Sequence, residues 1–276
     1  MPSDTSPRLH WKPVPAPVPT TLRGRYVTLE PLDAERHLGL LWEAVSGHDE
    51  LWAWLAEGPF GTEADLRRSI QQKQSGTSAV FLAILRAESR IPEGAGAVTP
   101  MEEGENAESS VAEGEGAFMP LKQAGNARPS GPAPSSAAKA AGWVSYMRIE
   151  PAHGVVEVGN ILLSPGLQRT RAATEAMYLM ACHVFDDLGY RRYEWKCNAE
   201  NEPSRRAALR LGFTFEGIFR QHMVVKDRSR DTAWFSMLDH EWPARKRALE
   251  SWLDPANFDA AGNQRHSLME IAGAQR

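Results

Sequence analysis

The stretch from Ser164 to Ala176, SPGLQRTRAATEA, has the make-up of an anion seat. The apolar run VVEVGNILL reads as a strand, stops at Ser164-Pro165-Gly166, and gives way to a helical pattern. A helix fed from a strand end presents amides with no carbonyl behind them, together with the positive end of its dipole. Both attract an anion. The donors would be the backbone amides from Arg169 to Ala173, with Ala172 and Ala173 small enough to let a ligand approach. A plain capped helix without ligand looks the same locally. Further along, Ala173, Ala176, Met177, Met180 and Val184 recur at steps of three and four and are core positions.

A second constellation lies in WKCNAENEPSRRAALRLGF. A strand ends near Asn198, a turn carries Asn201, and Ser204 falls in the first turn of the next helix. That helix stops at Leu211-Gly212-Phe213, where glycine serves as the terminator.

The elements that hold these residues follow from patterning. With 276 residues, 42% of them hydrophobic and nine tryptophans among them, the chain must bury a real core. A net charge of -4 gives no general pull toward nucleic acid or an acidic membrane surface. Cys182 and Cys197 are the only cysteines and have no neighbours at metal-ligand spacing, so a reduced, metal-free chain is expected. No basic start leads into an apolar run, and no stretch approaches the ~18 uncharged residues of a membrane helix. The expected location is cytoplasmic.

RYVTLEPL from Arg25 alternates as a strand, and Asp33 caps a helix bearing Leu38, Leu41, Trp42 and Val45. A short tryptophan-bearing helix, a helix opened by Thr62 and the strand SAVFLAIL follow. Strands at 143–150, 155–163, 190–197, 213–226 and 232–238, with helices at 170–188, 203–211 and from Pro243, complete a mixed α/β (α+β) pattern. Three segments stand apart: a flexible Pro-rich arm at 1–24, a Gly, Ala, Glu, Pro and Ser insert at 87–140, and a loose polar tail at 256–276. The insert lacks the apolar surface to offset its ordering entropy and is expected to be disordered. Because strands flank it, it reads as an expanded loop inside one domain spanning 25–255; a linker between two domains is the alternative.

The residues Asn201, Ser204 and Leu211-Gly212-Phe213, read with Gln168-Arg169-Thr170-Arg171-Ala172-Ala173, resemble the GNAT superfamily of acyl-coenzyme A dependent N-acetyltransferases, which pairs such an Asn, small polar, Leu-Gly-Phe pattern with a pyrophosphate turn. EVGNILLSPGLQRTRAATEA and NEPSRRAALRLGFTFEGIFRQ look most like the branch of Rim-type ribosomal-protein N-acetyltransferases, over roughly Leu22 to Trp242 apart from the insert. The resemblance implies a mostly antiparallel sheet of six to seven strands flanked by helices, whose fourth and fifth strands splay apart. Acetyl-CoA would be co-substrate. Its pantetheine arm would pair with the strand edge around Asn160, Ile161, Leu162 and Leu163. Its pyrophosphate would sit on Gln168, Arg169, Thr170, Arg171, Ala172 and Ala173, with Asn201 and Ser204 near the arm and the sulfur.

One departure is Arg171, which falls on the family's glycine position and is expected to point outward toward phosphate. Direct transfer of acetyl to a primary amine, of a small molecule or a protein N-terminus, needs a proton acceptor, for which Glu157 is the candidate. It also needs a donor to the leaving thiolate. The family's usual tyrosine is replaced by Ala208, which leaves Ser204 or solvent. Amides near Leu162 could hold developing negative charge. Cys197 is read as core. His222, Arg220 and Trp234 are candidates to line the acceptor side, and a monomer or homodimer is expected. The other reading is a non-catalytic acyl-CoA-binding sensor or scaffold.

Overall fold

The computed structural model describes residues 10–86 and 139–274. Its strands are β1 (Leu22–Arg23), β2 (Val27–Pro31), β3 (Ala79–Arg86), β4 (Lys139–Glu150), β5 (Val155–Leu163), β6 (Arg192–Asn198), β7 (Thr214–Val225) and β8 (Arg228–Leu238). They form one sheet in the order β1-β2-β3-β4-β5-β6-β8-β7. Of its neighbouring strands only β5 and β6 run parallel. The sheet is mixed and mostly antiparallel as expected, but among the described residues it has eight strands, because β1, only two residues long, is too short to show a period in the sequence. The insert expected at 87–140 lies outside the described residues as far as position 138, and β4 already begins at Lys139.

The helices are α1 (Ala34–Val45), α2 (Glu63–Ser75), α3 (Arg171–Cys182, continued by a π-helical turn over His183–Asp187), α4 (Glu202–Arg210), α5 (Trp242–Leu253) and α6 (Leu268–Ala274). Their starts follow local chemistry. Asp33 accepts from the Arg36 amide at 2.9 Å and Thr62 from the Asp65 amide at 3.2 Å, each holding a first-turn donor. Gly212 ends α4 at φ 93, a conformation that glycine reaches without strain.

Two layers of helices cover the sheet. On one face α3 and α5 bury Val156, Val158, Tyr193, Trp195, Phe213 and Phe235 in the larger core. On the other, α1 and α2 cover only the β2-β3-β4 half, around Leu41, Leu66, Ile70, Leu82, Trp143 and Leu162. The rest of that second face carries charged side chains together with Phe219 and Trp234.

Among the described residues, two segments near the ends make contacts that their composition does not suggest. Trp11 Nε1 donates to the Ala152 carbonyl at 2.9 Å and the Val14 amide to Pro151 at 3.2 Å, which pins the proline-rich segment to the β4–β5 turn. The tail expected to be loose folds back, burying Phe258 and Leu268 in the larger core. Few apolar residues suffice there because Asn257 Nδ2 reaches the carbonyls of Trp252 and His266 and ties the segment down.

Candidate active site

β5 and β6 pair from Val155↔Arg192 to Val158↔Trp195 and no further. Beyond that point β5 stays on β4 through Trp143↔Leu162, while β6 stays on β8 as far as Asn198↔Thr232. The two strands therefore part at Gly159 and Lys196. The cause lies in β5, which uses one residue more than β4 between Ser145↔Gly159 and Trp143↔Leu162. Asn160 takes up the excess at φ 49, and its Nδ2 lies 3.2 Å from Ser145 Oγ. Such a bulge bends and twists its strand away from the neighbour. Because β5 and β6 are parallel, the helices that follow them, α3 and α4, both begin at the open end of the gap. This is the place where an open α/β sheet offers a ligand crevice.

On the α3 side, Arg169 sits at φ 61 in a turn where Gln168 and Arg169 are exposed and Thr170 half-buried. Thr170 caps α3, its Oγ1 accepting from the Ala173 amide at 3.2 Å. Gln168 Nε2 donates to the Leu163 carbonyl at 3.0 Å, joining the turn to the end of β5. Ala172 and Ala173 are core residues, 0% and 9% exposed, so the open part of the expected seat is Gln168–Thr170.

Arg171 does not point outward. Only 4% exposed, it turns inward, its guanidinium 5.1 Å from the Tyr26 ring and 4.4 Å from the Phe258 ring. Two aromatic faces offer a guanidinium a better-packed site than solvent does, and both rings come from remote parts of the chain. Nearby, Glu175 accepts from the amides of Arg25, Tyr26 and Val27 at 2.9, 2.6 and 3.0 Å, locking the start of β2 onto α3.

On the α4 side, Asn201 Oδ1 caps the helix through the Ser204 amide at 3.1 Å, and among the described residues its Nδ2 donor meets no acceptor. Ser204 Oγ accepts from Trp195 Nε1 at 3.0 Å. Ala208 is wholly buried, so its place in α4 is packing. Burial holds the Cys197 thiol above its ordinary pKa and pushes Cys182 up to about 12. Neither is a thiolate at neutral pH, as a nucleophilic role would require.

The uncovered sheet face carries the charge. Glu157, 3% exposed, has Oε2 2.9 Å from both Lys196 Nζ and Arg148 Nε. Lys196 also meets Glu194 Oε2 at 2.6 Å and lies 3.8 Å from the Trp234 ring. Glu194 is shared with Arg192, which makes two bonds to Glu216. Burial raises the Glu157 pKa above the usual carboxylate range, against the opposing pull of Lys196 and Arg148. Gly159 stands next to it on the same face: a Cβ there would meet Met147 and lie 3.4 Å from Glu157 Oε1, so glycine keeps this oxygen uncrowded at the mouth of the gap. The alternation Arg192-Glu194-Lys196 in β6 is the sequence signal for this network.

His222 Nδ1 is 3.0 Å from Thr232 Oγ1 and its ring packs with Phe219 and Trp234 on the same side. The β7–β8 hairpin turns tightly through Lys226 and Asp227, both at positive φ, and Lys226 Nζ donates to the Trp52 carbonyl at 2.9 Å. This contact ties the hairpin to the connection between α1 and α2, and bounds the charged floor on its far side.

A crystal structure of a GCN5-related N-acetyltransferase from Brucella melitensis matches this fold with a TM-score of 0.76 at 41% identity, over 96% of this chain and 99% of that one. The chain belongs to the GNAT family. A family model described as an acetyltransferase (GNAT) domain matches residues 121–214, the segment that contains β5, α3, β6 and α4. The ribosomal-protein-serine acetyltransferase of Escherichia coli (strain K12) is 29% identical over 97 residues, 35% of this chain and 54% of that protein, which fits the Rim-like branch. The chain thus spans about half the length of that curated relative. The microcin C7 self-immunity acetyltransferase MccE, solved in complex with acetyl-CoA and AMP, shares the fold at a TM-score of 0.54 and 18% identity, over 78% of this chain and 93% of that one. Among the described residues no helix of this GNAT chain is long and apolar enough to cross a membrane.

Proposed function

We propose that this GNAT protein transfers acetyl from acetyl-CoA to a primary amine directly, without a covalent enzyme intermediate. The observation that carries the reading is the parting of β5 from β6 after Val158↔Trp195, flanked by the two helix starts. The residues fit such a ligand. The β5 edge from Gly159 to Leu163 has no β6 partner and can pair with the amides of an extended arm, and the exposed Gln168–Thr170 turn can take an anion. Asn201 Nδ2 supplies a further donor at the start of α4. When bound, acetyl-CoA supplies an acyl thioester.

The chain's own groups do the rest. An alkyl amine is mostly protonated at neutral pH and must shed a proton before it can attack. Glu157 takes that proton at Oε1, while Lys196 and Arg148 fix Oε2. The raised pKa brings the carboxylate closer to the operating range of a general base. Backbone amides near Leu162 stabilise the negative charge that develops on the acyl oxygen. The second proton of the attacking nitrogen reaches the leaving thiolate through the Ser204 hydroxyl, which passes its own proton to sulfur as it takes that one and is oriented by Trp195. The acceptor is a small amine or a protein N-terminus, and the cytoplasm is the compartment we propose for it.

Thiol release from acetyl-CoA, followed across a panel of amines and peptides, tests this. Acceptor-dependent release with acetyl recovered on the acceptor is expected. Tight cofactor binding without turnover on any acceptor would instead identify an acyl-CoA sensor.

A further inference from the structure

The charges on this uncovered face of the sheet do not balance. Glu194 and Glu216 are satisfied by Arg192 and Lys196, and Glu157 by Lys196 and Arg148. One cation is left over. Arg230 lies on β8 two residues beyond Thr232, the partner of Asn198, and therefore at the end where β6 leaves β5. Among the described residues its guanidinium makes neither a hydrogen bond nor an ion pair, and its Nε is buried. Strand alternation puts Arg230 on the same face of β8 as Thr232 and Trp234. Thr232 meets His222, and Trp234 packs against Lys196, the partner of Glu157, so this face of β8 borders the charged floor.

A half-buried guanidinium with no partner has lost part of its hydration without compensation, a state that a bound anion relieves. The fork of donors suits a carboxylate in two-point contact. Arg148 is the second cation: its side chain is 39% exposed, and it meets Glu157 through Nε. Beside these groups, Phe219 and Trp234 stack at 4.4 Å and offer an apolar floor for the carbon skeleton.

We infer that the acceptor amine carries a carboxylate near its nitrogen, and that Arg230, supported by Arg148, binds that carboxylate and sets specificity. This rests on the acetyl-transfer reading and narrows its substrate class. The same geometry disfavours a plain cationic amine, which would bring a second positive charge toward Arg148 and Arg230. Two kinds of acceptor share the required chemistry: a free amino acid, and a peptide N-terminus whose first or second side chain is acidic.

The test is equilibrium binding with coenzyme A present, using matched acceptors: an amino acid against its amide, and a peptide with Asp at its second position against the Asn peptide. The carboxylate form of at least one pair should bind about 10-fold more tightly, the size of one charged hydrogen-bonded contact. Arg230→Gln should bring that ratio close to one, Arg230→Lys should restore part of it, and Arg148→Gln should lower it. Which pair responds distinguishes free amino acid from peptide. Equal binding within both pairs, or a ratio that survives Arg230→Gln, would overturn the inference. Because binding is the readout, a protein that selects the carboxylate yet releases no thiol would count against acetyl transfer and leave the specificity assignment standing.

Discussion

Replacing Arg171 by Ala separates a structural arginine from a phosphate-binding one. Arg171 is 4% exposed and lies against the rings of Tyr26 and Phe258. Each ring contact contributes about 0.5–1 kcal/mol, somewhat more when desolvated. The buried stem adds about 0.8 kcal/mol per methylene lost. Relief of the guanidinium's desolvation offsets part of this, which leaves a net loss of about 2–3 kcal/mol. For a domain of this size that lowers the thermal midpoint by roughly 4–12 °C. The assay is thermal unfolding followed by tryptophan fluorescence, with limited proteolysis reporting the segment around Phe258. Early cleavage after Trp252 is expected, because the arginine bridges that segment to Tyr26 at the entry to β2. Direct titration should find little loss of acetyl-CoA affinity well below the new midpoint. An unchanged midpoint combined with weakened cofactor binding would refute the inward placement and restore the phosphate role.

Glu175→Ala should cost about 3 kcal/mol or more, since it strips the acceptor from three backbone amides, two of them fully buried; Glu175→Gln, which keeps one acceptor oxygen, should cost less in the same urea titration. The Glu157 shift sets a pH dependence. A base must be ionised to act, and burial raises its folded pKa, so kcat/KM should fall as pH is lowered through a value above the ordinary carboxylate range. Glu157→Gln should remove that acid limb while sparing cofactor affinity, and an identical pH profile would dismiss Glu157 as the base. The sign for stability is opposite: Glu157 favours folding most when protonated and loses that advantage as pH rises through its folded pKa.

What could be read from the sequence is what local chemistry decides. Asp33 and Thr62 cap helices because a short polar side chain can reach an amide two or three residues on, and Gly212 ends α4 because its φ is positive. The strand-to-helix turns after β5 and β6 were visible for the same reason. What escaped depends on partners distant in sequence. Arg171 looked like a phosphate grip because Tyr26 and Phe258 are remote along the chain. Phe258 and Leu268 were hidden by the polar residues around them. Lys196 looks like an ordinary strand charge, and Arg230 falls in the turn between two expected strands, until β6 and β8 are paired; the sequence held no sign that Glu157 would be flanked by two cations.

Amide hydrogen exchange with and without acetyl-CoA addresses the gap itself. Binding between β5 and β6 predicts that protection rises at Gly159 to Leu163 and at Gln168 to Thr170, with little change on β7, the far edge of the sheet. No change in either stretch under saturating acetyl-CoA, or protection concentrated elsewhere, would contradict the account.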